Sequence, residues 1–80
     1  MKVFTIQFRF RNSTHIANVY FSDAFNGYTI YFTDVELILE FGGKASYSKQ
    51  QGLKLLKPGK DSDTLKTIII GQIEQLTPAA

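Results

Sequence analysis

A nucleophilic site needs three parts: a nucleophile, a base to take its proton and a group to orient the base. His15 is the single imidazole of this 80-residue chain, and there is no cysteine. Serines stand at 13, 22, 46, 48 and 62, none in the Gly-x-Ser-x-Gly turn that lifts a serine off a strand end. With no partner in reach, His15 is expected as a histidine at a sheet end with one ring face on Phe10. Glu36 and Glu40, four apart, would share a helix face and could divide acid and base roles, but the same spacing serves a solvated helix side. No His-rich or Asp-x-Asp-x-Asp-Gly pattern offers a metal site. Gly42-Gly43-Lys44 and Pro58-Gly59-Lys60 both lack the Gly-x-x-x-x-Gly-Lys-Ser/Thr spacing of a phosphate loop. The expectation is a protein that is not an enzyme, with no catalytic, cofactor-binding or metal-binding residues and no cofactor.

Binding chemistry is better represented. Lys44, Lys49, Lys54, Lys57 and Lys60 fall within 44–60 with no acidic residue among them, directly after the acidic Asp34, Glu36 and Glu40. A formal net charge of +2 therefore conceals an asymmetry. The lysines could contact the phosphates of a nucleic acid or another anion. They could equally protect an exposed sheet edge from pairing with another chain.

These residues must be positioned by a small number of elements. At 9.0 kDa, with 44% hydrophobic and 20% charged residues, the chain is expected to form one globular domain over 1–80. Residues 3–11 alternate: Phe4, Ile6, Phe8 and Phe10 share one parity, and Val3, Thr5, Gln7, Arg9 and Arg11 the other, as in a half-buried strand. A turn at Asn12-Ser13 leads to a second strand over 14–22. Asn26-Gly27 is the strongest hairpin signal and leads to a third over 28–33. These turns would set Phe10 opposite His15, Phe8 opposite Ala17, Arg9 opposite Ile16 and Phe21 opposite Phe32. They would also place Phe25 with the phenylalanines. Thr33 with Glu36 has capping-box spacing and Gly42-Gly43 suits a helix end, so 34–41 is expected as a short helix, with a strand as the rival reading. Short strands are expected over 45–49 and 53–57. Leu65, Ile68, Ile69, Ile73 and Leu76 form a helical stripe over 63–76, capped by Asp61 or Ser62, with a strand as the rival reading because Gly71 and the β-branched run Thr67 to Ile70 disfavour a helix. The fold class is α+β: an antiparallel sheet of three to five strands with the C-terminal helix on its phenylalanine face.

The other sheet face is left with Arg9, Ile16, Tyr20 and Tyr31, the tyrosines as diagonal neighbours. Tyrosine and arginine are the side chains that dominate interfaces. Ile70 points away from the helical stripe, and one sheet face cannot readily cover both helices, so apolar surface is left over. Arg9, Ile16, Tyr20, Tyr31 and Ile70 are therefore the candidate interface, and the five lysines the candidate anion contact.

The stretch from Tyr31 to Ser48 resembles small uncharacterised bacterial proteins, in which a strand is followed by Thr-Asp-x-Glu-Leu, then Phe-Gly-Gly-Lys, then another strand; here these are Thr33 to Leu37 and Phe41 to Lys44. The resemblance implies a compact α+β domain and assigns no residue a role. With no apolar run long enough for a signal peptide or membrane span, a cytoplasmic location and no membrane partner are expected. The expected function is a protein–protein interaction domain, with a homodimer as the first form. The alternative is a nucleic-acid binder using 44–60 with Arg9 and Arg11.

Overall fold

A computed structural model describes residues 2–24 and 26–76 of the chain. Five strands, β1 (Lys2–Phe10), β2 (Ser13–Ser22), β3 (Gly27–Phe32), β4 (Lys44–Ser48) and β5 (Gly52–Leu55), form one antiparallel sheet in chain order. Helix α1 (Val35–Phe41) joins β3 to β4, and α2 (Ser62–Leu76) follows β5. The expected α+β architecture is the observed one, with all five strands paired.

The alternation that defines β1 also fixes its faces. Ile6, Phe8 and Phe10 are buried, while Val3, Thr5, Gln7 and Arg9 are exposed. Both hairpin registers differ from those expected from the turn residues. The first turn is Arg11-Asn12, not Asn12-Ser13, and both its residues take left-handed backbone, at φ 54° and 64°, as a type I′ hairpin requires. Phe8 therefore lies opposite His15, Ile6 opposite Ala17, and Ile16 opposite Gln7 instead of Arg9; Arg11 falls outside the strand. In the second hairpin Asn26 does take φ 49°, but it closes a four-residue connection over 23–26 and Gly27 already belongs to β3. Phe21 consequently faces Tyr28, and Ala17 faces Phe32. The shifts are two and four residues. Because side chains alternate with period two, even slips preserve every residue's face. The expected place of Phe25 lies outside the described residues.

Helix α1 starts differently from the expected capping box. Asp34 holds the N-cap position in extended conformation, and its carbonyl accepts from the Ile38 N–H at 3.0 Å, but its side chain makes no cap bond. Thr33 turns its hydroxyl back to the sheet and donates to the Ile16 carbonyl at 2.6 Å. The other end is as expected: Gly42, at φ 95°, donates to the Ile38 carbonyl at 2.9 Å. Leu37 and Phe41, four apart, are the residues α1 buries.

Helix α2 buries Leu65, Ile69 and Ile73 and packs against β1 and β5, the two edge strands. Ile68, Ile70 and Leu76 pack partly buried around the same core. One apolar cluster thus contains the phenylalanine face of the sheet together with buried residues of both helices. Of the two helices, α1 carries the exposed large apolar side chains, Val35 at 66% and Leu39 at 69%.

Candidate interaction surface

The sheet face away from the helices is assembled as cross-strand rows. One row runs Val3, Tyr20, Thr29, Ser46, Lys54 from β1 to β5, each residue opposite the next. The adjacent row runs Thr5, Asn18, Tyr31, Lys44 from β1 to β4. Further along lie the pairs Gln7–Ile16 and Arg9–Thr14. Tyr20 and Tyr31 meet edge to face, with ring centroids 5.3 Å apart and planes at 87°, the arrangement favoured by the ring quadrupole. The contact leaves Tyr31 42% exposed beside Ile16 at 46% and Val3 at 57%. The middle of the face is therefore apolar and aromatic. Threonine, serine and asparagine surround it.

Charge is partitioned by element. The five strands contain no aspartate or glutamate, whereas they carry Lys2, Arg9, Lys44 and Lys54. Every carboxylate side chain lies in a helix or a connection: Asp23, Asp34, Glu36, Glu40, Asp61, Asp63 and Glu74. The open face thus has a wet apolar centre with cations on its borders, Arg9 at one corner and Lys44 and Lys54 on the opposite side.

The structure divides the sequence-derived candidates. Arg9, Ile16, Tyr20 and Tyr31 share the open face, but Ile70 sits half-buried on α2, on the other side of the sheet. The five lysines do not form one surface. Lys44 and Lys54 stand on the open face, Lys49 lies in the turn after β4, and Lys60 precedes α2. Lys57 donates from Nζ to the Leu39 carbonyl at 3.1 Å. Arg11 is also committed within the fold. Its guanidinium makes two hydrogen bonds to Glu40 at 2.6 and 2.7 Å, donates to the Lys60 carbonyl at 2.6 Å, and lies 3.5 Å from Asp61. It also sits 4.8 Å from the centre of the Phe10 ring. The Glu40 hydrogen bonds hold the guanidinium above its ordinary value, and the same bonds hold the Glu40 carboxyl below its own.

His15 has a partner that spacing alone does not suggest. Its Nδ1 pairs with Asp34 Oδ2, and its Nε2 lies 3.3 Å from the Phe10 carbonyl. The ring is buried and tilts against Phe8 and Phe10 at 5.6 and 6.4 Å. The missed signal is the β2–β3 register: Phe32 opposite Ala17 brings the residues just after β3 beside His15. Both ring nitrogens face protein oxygens, a carboxylate on one side and a backbone carbonyl on the other. His15 lines a shallow depression of about 430 Å³ together with Ser13, Glu36 and Glu40. Among the described residues no group of three or more acidic or histidine side chains could hold a metal, and no helix is long and apolar enough to cross a membrane.

Comparison with known proteins adds no identity: no family model, curated protein or solved structure matches the chain.

Proposed function

We propose that the chain is a non-enzymatic protein–protein interaction domain whose contact surface is the open face of the sheet. The observation that carries this reading is the exposed group Val3, Ile16 and Tyr31, backed by Tyr20, on a face that neither helix covers. An interface centre is apolar and aromatic, depleted of carboxylates, and bordered by polar groups. That description fits this face residue by residue. Water gains little from contact with Val3 and Ile16, and a packed partner removes both from it.

Single-stranded nucleic acid is the other partner that tyrosines and cations could take. Its support is the absence of carboxylates from the strands. Two observations weigh against it. The tyrosines pack against each other edge to face, not as two free platforms, and Arg11 and Lys57 are tied to the fold.

A photo-crosslinking residue placed at Ile16 and, separately, at the exposed Thr64 of α2 separates the readings in cells expressing the chain. Protein adducts from position 16 and few from position 64 are expected. Adducts to nucleic acid at position 16, or equal protein yields from both positions, would overturn the reading.

A further inference from the structure

We infer that the free edge of β1 pairs with the same edge of a second copy of this chain, antiparallel about a two-fold axis through Ile6. The pairing uses the rim of the sheet and neither of its faces, so it does not rest on the open-face reading. β1 ends the sheet, with β2 as its one strand neighbour. The two-residue turn Arg11-Asn12 makes Phe10 and Ser13 the closing pair of the hairpin. In such a hairpin the closing pair exchanges both backbone hydrogen bonds. Alternation then turns the backbone of Phe4, Ile6, Phe8 and Phe10 toward β2. The N–H and C=O groups of Val3, Thr5, Gln7 and Arg9 point outward, and no other backbone group bonds them among the described residues. All four residues are exposed, and α2 shares its core cluster with Ile6, Phe8 and Phe10, of the opposite parity.

An unpaired edge invites another strand, and sheets normally blunt their edges by shortness, proline, bulges or charge. β5, at the other end of the sheet, is blunted: it spans only Gly52–Leu55, carries Lys54 and is followed by Pro58. Between Lys2 and Arg9, β1 has none of these devices. It runs for 9 residues in unbroken register without a proline, and its two cations stand near its ends. The strand's own sequence selects a second copy as the occupant. Paired about Ile6, Val3 meets Arg9 and Thr5 meets Gln7, so every outward N–H and C=O finds a partner. Phe4 meets Phe8 and Ile6 meets Ile6, so both faces continue across the seam with their parity intact. The whole strand overlaps, no two cations are opposed, and the half-buried Phe4 gains an aromatic cross-strand neighbour. A slide of two residues in either direction shortens the overlap and leaves outward groups unpaired. Such an interface is isologous, and it consumes the edge that forms it.

Sedimentation of the purified chain from micromolar to millimolar concentration tests the pairing: a monomer–dimer equilibrium with nothing larger is expected. Residue-resolved amide exchange over the same range locates it. The amides of Val3, Thr5, Gln7 and Arg9 should slow about tenfold or more in the dimer, whereas those of Phe4, Ile6 and Phe8, bonded to β2, should be slow throughout. Thr5→Pro removes an outward N–H at a position where an edge strand accepts proline. It should weaken association at least about tenfold and keep a cooperative melt. Should that variant fail to melt cooperatively, Thr5→Lys with Gln7→Lys replaces it, setting like charges opposite each other across the seam on exposed side chains; the same loss is expected. Single cysteines read the register, since the chain has none of its own. Thr5→Cys mixed with Gln7→Cys should form the crossed disulfide, at a spacing that a hydrogen-bonded pair allows, in excess of either variant with itself. A monomer at every concentration, growth past the dimer, or protection that misses the four outward amides would overturn the inference. So would association indifferent to the substitutions at Thr5 and Gln7, or a crossed disulfide no more abundant than the others. Protein adducts from position 16 test the open-face reading separately, and that reading stands if this pairing fails.

Discussion

Arg11 shows how one side chain can hold several elements together. It sits in the β1–β2 turn, yet it reaches Glu40 on α1, the Lys60 carbonyl before α2, and the rings of Phe10 and Phe41. The bidentate pairing with Glu40 is the geometry that only a guanidinium provides, so lysine is not a substitute. It also places a left-handed conformation on an arginine, at φ 54°, where such backbone is uncommon. The pH dependence follows from Glu40, whose carboxyl is held below its ordinary value. A depressed acid contributes stability above its unfolded-state value, and that contribution is lost as pH falls through the folded-state value. The melting temperature of Glu40→Gln should therefore lie below that of the parent at neutral pH. The gap should close as pH falls through the acid range. Thermal melts of both proteins from neutral to strongly acid pH check this; a gap that persists undiminished in acid would remove Glu40 as the cause.

At the scale of elements, glycines provide a contrast that backbone geometry alone decides. Gly42 ends α1 at φ 95°, and a methyl group there would lie 2.6 Å from Leu56 Cβ. Gly71 lies inside α2 with open space around it. Gly42→Ala should destabilise by more than about 1 kcal/mol through strain and overlap, and Gly71→Ala should stabilise by about 0.5–1 kcal/mol through helix propensity. Denaturant unfolding of the two variants measures both signs. The elements themselves are largely legible in the sequence, because alternation in β1 and the Leu65, Ile69, Ile73 stripe in α2 each state a period. The faces are legible for the same reason. Register is not: Asn12 and Asn26 correctly mark left-handed backbone, but an asparagine can occupy more than one position in a turn, and each choice moves the pairing by two or four residues. The helix start at α1 also misleads. Thr33 and Asp34 carry capping chemistry, yet the Ile16 carbonyl and His15, far away in sequence, take those side chains. The open face could be read because it needs parity alone. The separation of the lysines, the internal use of Arg11 and the His15–Asp34 pair need the three-dimensional register.

For the molecule as a whole, a single apolar cluster joins the sheet and both helices, so the parts have no independent stability. Ile69 belongs to this cluster and is fully buried. Ile69→Asp would bury a carboxylate without a partner, a change beyond about 4 kcal/mol. Small domains have roughly 5 kcal/mol or a little more in total, so loss of the cooperative thermal transition is expected. Circular dichroism on heating detects it, and a variant melting near the parent temperature would contradict the assignment of α2 to the core. The placement of α2 against both β1 and β5 has another consequence, for synthesis. The strands emerge from the ribosome before the helix that covers them, so the nascent sheet must expose Ile6, Phe8 and Phe10 until α2 has cleared the exit tunnel. Translation pauses within residues 62–76 would lengthen that interval and favour capture by chaperones, whereas pauses in the earlier hairpins would not.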